Sequence, residues 1–535
     1  MAAELAVLSA QVHTLQPGTP PATAVAVADG MIVAVGSDAE VREACDARTE
    51  LVDGRGLTLV PGLTDAHIHA LRGALRLVGA DCSQADSPAA VHAVLRAERE
   101  RVAADGGSWV RGHSLRYDAL AGTEPHHELL TAALGDDVPA FVTFNDFHTA
   151  LATPAALVVA GLQDGGAPLA GSAAVVVRDG VPTGELREEE AMDLVRAVLP
   201  PLGAARSRQL VVDGLRRLNA MGLTGAHVMD GTLATHALLR ELEAAGELCV
   251  RLVVPFQIDH DTSADELEEL LGHRDARGAL WRGGVLKFYA DGVVETATAW
   301  LEEPDAHGRV TEPFWPDPAR YAATVARGSA AGFQCATHAI GDRAVREVVD
   351  AYLATGAARE RRHRVEHLET MADADVERIA AAGVVASMQA IHQQWGLPDG
   401  SDPWATALGP QRTARAFRMG DLVSAGATVA LGSDWPVASA DPRPGLAWAR
   451  LRRPPGAPDI APMQPEQRLT ALQALEGYTT HAAHAVGEEA VAGRIAPGLR
   501  ADLTAFAGDP LGDADTLPDL PVALTVVAGR VVHRA

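Results

Sequence analysis

The chain is short of positive charge. Against 70 Asp and Glu there are 45 Lys and Arg, a net charge of −25 over 535 residues. Such a surface repels phosphate backbones and anionic lipid, so no role on nucleic acid or at a membrane surface is expected. No apolar run approaches the ~18 residues of a membrane span. The amino terminus carries Glu4 and no basic segment, so no secretory signal is expected. Cysteine is scarce too: Cys45, Cys82, Cys249 and Cys335 are scattered and make no C-x-x-C pair. That disfavours a disulfide framework or a zinc ribbon and points to a reducing, cytoplasmic home. Aromatic residues make up 4%. Lysine is scarcest of all, because Lys287 is the only one among arginines. A guanidinium stays protonated, whereas an amine can be neutralised and react. The single lysine is either a survivor of compositional bias or a position that needs an amine.

What is present is ordinary globular composition, 47% apolar and 21% charged, and a length that predicts two or three structural units. Both ends are short and β-rich, with an Asp-Gly turn in TAVAVADGMIVAVG and an Ala-Gly turn at Ala528-Gly529. Neither end can bury a core alone, so the two are expected to pair. The middle alternates β-like runs with helical stretches, the pattern of βα units on a parallel sheet. The runs are 57–62, 224–229, 249–258, 284–290, 333–339, 362–368, 384–389 and 428–434. Eight is the number that closes a TIM barrel. The gap between the first two runs is far too long for a βα connection, and reads as an inserted lid. The expected units are 1–60 with 485–535, a catalytic domain of 61–74 with 206–484, and the insertion 75–205.

Polar residues gather at the carboxyl ends of these runs, where barrel enzymes build their sites. TDAHIH places His67 and His69 on one face of an extended segment. Lys287, His338, His367 and Asp434 follow on later runs. Four imidazoles, a carboxylate and an amine are suited to zinc or a similar divalent ion. Lysine joins such a set if carbon dioxide converts its amine to a carbamate, an anion with two oxygens. The competing reading pairs Lys287 with Asp291 in a salt bridge.

In this order and over nearly the whole chain, PGLTDAHIHA, LKFYADG, THAIGDRA, RVEHLE, SMQAIH, LGSDWPV and GRIAPGLRADL resemble the amidohydrolase superfamily. They look most like its N-substituted formamide deformylase-like branch, amidohydrolase family 3. The resemblance implies an α/β fold: a TIM (β/α)8 barrel, a composite β-sandwich from both termini and an inserted α/β lid. It implies one or two divalent metals, zinc first among them, and hydrolysis of a C–N bond in a small amide, formamide or cyclic amide. By the same resemblance His67 and His69 bind the more buried metal and carboxylated Lys287 bridges. His338 and His367 bind the second metal, and Asp434 is ligand and general base.

Other residues are candidates for the substrate. Gln389 and His392 follow the seventh run, where either could donate to a substrate oxygen. Trp300, Trp395, Trp404 and Trp435 fall in expected loops near the same end, where they could line a pocket. His148 is the insertion's candidate. Ester or lactone hydrolysis, or non-hydrolytic carbonyl chemistry, would use the same groups, and a silent binding protein on this scaffold is the third alternative. The partner expected is a small molecule, with a homodimer left open.

Overall fold

The computed structural model describes residues 2–144, 149–166, 169 and 174–535. Two compact units divide the chain: Met1–Ala70 with Leu215–Ala535, and Leu71–Gly214.

The first unit contains the parallel strands β1 (Leu63–Ile68), β2 (Leu223–Val228), β3 (Arg251–Val253), β4 (Val285–Tyr289), β5 (Gln334–Ala339), β6 (Arg364–His367), β7 (Val385–Met388) and β8 (Val429–Leu431). They lie in two all-parallel sheets. One is ordered Trp281–Arg282, β3, β2, β1; the other Phe256–Gln257, β4, β5, β6, β7, β8. Nearly every residue of these strands is buried, as expected of parallel strands covered on both faces. Beyond β8 the backbone rejoins β1. The Asp434 N–H donates to the His67 carbonyl at 2.7 Å, and the His69 N–H to that of Trp435 at 2.8 Å.

The run 57–62 is not the first strand of this parallel array. Thr58–Pro61 pairs antiparallel with Leu503–Phe506, and the parallel strand begins at Leu63, after Gly62. A Cβ on Gly62 would sit 2.9 Å from the Asp502 backbone carbon, so the switch between sheets leaves no room for a side chain there. The expected run 249–258 is likewise interrupted, and its two halves, Arg251–Val253 and Phe256–Gln257, join different sheets.

The chain ends form two further sheets. Five strands run Gln11–Val12, Thr58–Pro61, Leu503–Phe506, Val522–Val527, Arg530–Arg534; four run Met31–Gly36, Ala24–Ala28, Leu5–Leu8, Glu50–Asp53. Leu5, Val7, Val25 and Leu59 share one buried cluster with Leu503, Leu524 and Val526, so both ends of the chain fill the same core. Helices punctuate the parallel strands with ordinary signals. Asp317 caps Pro318–Ala330 by accepting the Ala319 N–H, and Gly383 ends Asp373–Ala382 in the left-handed region.

The second unit has a mixed six-stranded sheet, ordered Ala174–Arg178, Val181–Arg187, Thr149–Ala152, Ala140–Phe144, Val110–Leu115, Ala80–Asp81. Its helix Pro88–Ala104 buries Val91 and Leu95 in a cluster with Leu130 and Phe144.

Candidate metal centre

Strand ends β1, β6 and β8 carry His67, His367 and Asp434, whose ligand atoms all lie within 4.8 Å of one another. Asp434 Oδ1 is 3.3 Å from both His67 Nε2 and His69 Nε2, and its Oδ2 is 4.0 Å from His367 Nδ1. His367 and Asp434 adopt φ of 75° and 59°, a conformation side chains rarely take, which bends the chain as each strand ends. His338, at the same level of β5, lies ring-to-ring with His367 at 4.3 Å; its Nε2 is 3.1 Å from the Gly292 carbonyl oxygen. Lys287 is fully buried on β4, and its Nζ has no hydrogen-bond partner among the described residues.

The alternative partner of Lys287 is otherwise engaged. Asp291 accepts the backbone N–H groups of Trp300, Ile340 and Gly341 at 2.8 to 3.0 Å. It is a loop anchor.

Groups around the cluster were not singled out from the sequence. Glu366, on β6, holds His67 Nδ1 at 2.6 Å and is itself held by Arg364. The Arg364 guanidinium, also fully buried, donates to Glu366, the Ala66 carbonyl and Ser387 Oγ, and contacts His227 Nδ1 at 3.0 Å. Asp65 accepts the N–H groups of His67 and Ser433, tying the ends of β1 and β8. Asp230 Oδ2 lies 3.6 Å from His69 Nδ1. The alternation Arg-x-Glu in the strand Arg-Val-Glu-His is the signal that could have found the Arg364–Glu366 pair, since period two puts both on one face.

Electrostatics follow from this packing. Burial pushes the Asp434 carboxyl up, but His67, His69 and His367 outweigh it and hold it well below the usual carboxylate range. Burial likewise opposes ionisation of Glu366, and Arg364 and His67 reverse the balance. Burial pushes the Lys287 amine down to about 8, against the pull of Glu366 and Asp434. His338 is pushed down to about 3 by burial and by Lys287.

The donor set fits a divalent cation. It offers borderline nitrogen and oxygen ligands, a carboxylate kept ionised, and buried polar atoms without partners at Lys287 Nζ and His367 Nδ1. His67 is already oriented by a carboxylate behind it, as metal-binding imidazoles usually are.

The remaining candidates divide. His392 belongs to the centre, with Nε2 3.9 Å from Asp434 Oδ2 and its ring 4.8 Å from that of Trp395, which is 44% exposed. Gln389 is buried beside it in sequence. Trp435 contributes its backbone, accepting the His69 N–H. Trp404 packs instead inside a core cluster, stacked on Phe417 with its Nε1 donating to Glu369. Trp300 donates its backbone N–H to Asp291. His148 falls in 145–148, outside the described residues. Among the described residues, no helix is long and apolar enough to cross a membrane.

With this geometry in place, the comparisons with known proteins are specific. The model of the amidohydrolase family matches residues 50–533. Protein LONG AFTER FAR-RED 3 of Arabidopsis thaliana is 27% identical, the match covering 99% of this chain and 92% of that protein. N-substituted formamide deformylase of Arthrobacter pascens is also 27% identical, with 98% and 97% covered. A crystal structure of an uncharacterized metal-dependent hydrolase from Pyrococcus furiosus shares the fold, with TM-score 0.72, 23% identity, and 95% of this chain and 99% of that one covered. The chain belongs to the amidohydrolase family, hydrolases of carbon–nitrogen bonds.

Proposed function

We propose that this enzyme hydrolyses the C–N bond of a small amide, formamide or cyclic amide at a divalent-metal centre, zinc being the first choice. The two parallel sheets would form one eight-stranded barrel around it. The observation that carries the reading is the convergence of His67, His69, His367 and Asp434 from three strand ends, with Glu366 orienting His67 from behind. The similarity to a formamide deformylase supports the substrate class.

His67, His69, His338, His367, Asp434 and Lys287 would hold one or two ions. When bound, a divalent cation polarises a substrate carbonyl and makes water acidic enough to attack near neutral pH. The rest is the work of side chains. Asp434 is kept ionised, so it can accept the proton of the attacking water and return it to the departing nitrogen. Glu366 holds His67 Nδ1 at 2.6 Å, which would leave Nε2 to face the ion. The amine of Lys287 would bond to the carbon of carbon dioxide and lose one proton, giving a carbamate whose two oxygens serve as ligands. A buried amine without a hydrogen-bond partner among the described residues gains a function by that step, and arginine could not make it. His392 and Trp395 would border the substrate.

The test is a panel of formamides, lactams, imides, carbamates and lactones offered to the metal-loaded full chain. Turnover of at least one C–N member is expected. Hydrolysis confined to esters and lactones would contradict the reading.

A further inference from the structure

Gln389 is 1% exposed, and among the described residues neither its Oε1 nor its Nε2, both buried, has a hydrogen-bond partner. A buried carboxamide with both ends unmet costs more than almost any other neutral side chain, because a donor and an acceptor each lose their water. A nonpolar residue of the same volume would avoid that cost. The position therefore asks what meets the amide.

Its direction follows from β7. Ser387 stands in register with Glu366 on the neighbouring strand, and Arg364 donates to both, so this face of β7 points into the buried polar interior. Gln389 directly follows β7, and with φ −113° and ψ 89° its backbone has not yet turned into the helical segment after it. Two residues beyond Ser387, it presents its side chain to the same face, one layer nearer the strand ends. There it stands between β6, which ends in His367, and β8, which leads to Asp434. Its carbonyl accepts the His392 N–H at 3.1 Å, starting the turn that brings His392 to Asp434.

We propose that Gln389 is a specificity-determining residue that reads a substrate edge carrying N–H and C=O side by side, the edge of a lactam, imide or cyclic ureide. One planar carboxamide offers a donor and an acceptor in the same plane, and such an edge meets both in a paired hydrogen bond. A ring forces this cis arrangement, whereas an acyclic secondary amide or N-alkylformamide prefers trans and presents only one of the two groups. A lactone offers acceptors alone and leaves Oε1 unmet. This inference rests on the C–N hydrolase reading and narrows it from amides in general to cyclic ones.

The experiment uses the metal-loaded full chain with three probes: glutarimide, δ-valerolactone of the same ring size, and N-butylformamide. Values of kcat/KM are compared between the wild type and Gln389→Leu, with bound metal measured in each. The wild type is expected to prefer glutarimide by at least ~10-fold over both others, because a site built to bond N–H and C=O side by side rejects a lactone that lacks the N–H and a trans formamide that presents only one of the two groups. In Gln389→Leu that preference should fall to near parity with metal content unchanged. Gln389→Met keeps much of the length and volume but offers neither an N–H donor nor a carbonyl acceptor, and should also lose the preference; it decides the matter if the leucine variant does not fold. A preference for N-butylformamide in the wild type, or a glutarimide preference that survives in the variants, would overturn the role of Gln389 and leave the C–N hydrolase reading standing. Hydrolysis of δ-valerolactone alone would overturn both.

Discussion

Glu366 stands one hydrogen bond behind the centre, and its substitution separates orientation from ligation. A glutamine there could still accept from His67 Nδ1, but its NH2 would then face the Arg364 guanidinium, donor against donor. Glu366→Gln is expected to weaken metal binding by ~10–100-fold, as loss of a partner behind a ligand usually does. Competition with a chromogenic chelator would measure it, and unchanged affinity would show that His67 does not need its carboxylate. The strand-end positions of His67, His69, His338, His367 and Asp434 were legible in the sequence, with period two joining the first pair. Glu366 and Arg364 were not, because charged residues in the middle of a strand usually mark an exposed face. Here they satisfy one another in the interior.

At the scale of the element, the joint between β1 and β8 depends on close backbone approach. A Cβ on Gly432 would meet the His67 backbone nitrogen and Asp65, neither of which can yield without moving β1. Gly432→Ala is therefore expected to lower stability by about 1–3 kcal/mol, the usual cost of an overpacked core position. Because it displaces His67, it should also reduce bound metal. Thermal unfolding together with elemental analysis checks both, and a variant with full metal content and unchanged Tm would contradict the tight joint. The alternation of strands and helices was legible from local hydrophobic pattern. The place where the chain changes sheets was not. Thr58–Pro61 pairs with Leu503–Phe506 far along the chain, and no local window contains the partner that decides which sheet a run joins.

At the scale of the whole molecule, the same logic joins the strand array to the segment leading into the terminal sheets. Glu488 receives Arg282 at 2.9 Å and Arg500 at 2.5 Å while mostly buried. Burial pushes its carboxyl up, but the two guanidinium groups outweigh that and hold it below the ordinary value. A carboxyl depressed in the folded state stabilises the protein above its unfolded pKa and loses that contribution as pH falls through the folded one. Glu488→Gln should therefore cost about 1–3 kcal/mol near pH 7, less than a fully buried pair because the site is partly wet. The difference from wild type should shrink as the pH is lowered below about 4. Denaturant midpoints at pH 7 and in acid measure this, and a pH-independent difference would contradict it. The function itself rests on one dependence. Metal should be stripped by dialysis against a chelator and zinc titrated back while hydrolysis of the best C–N member of the panel is followed. Turnover is expected to disappear with the metal and return in proportion to the ion bound, reaching its plateau at one or two per chain. Full turnover in metal-free protein would contradict the proposed centre.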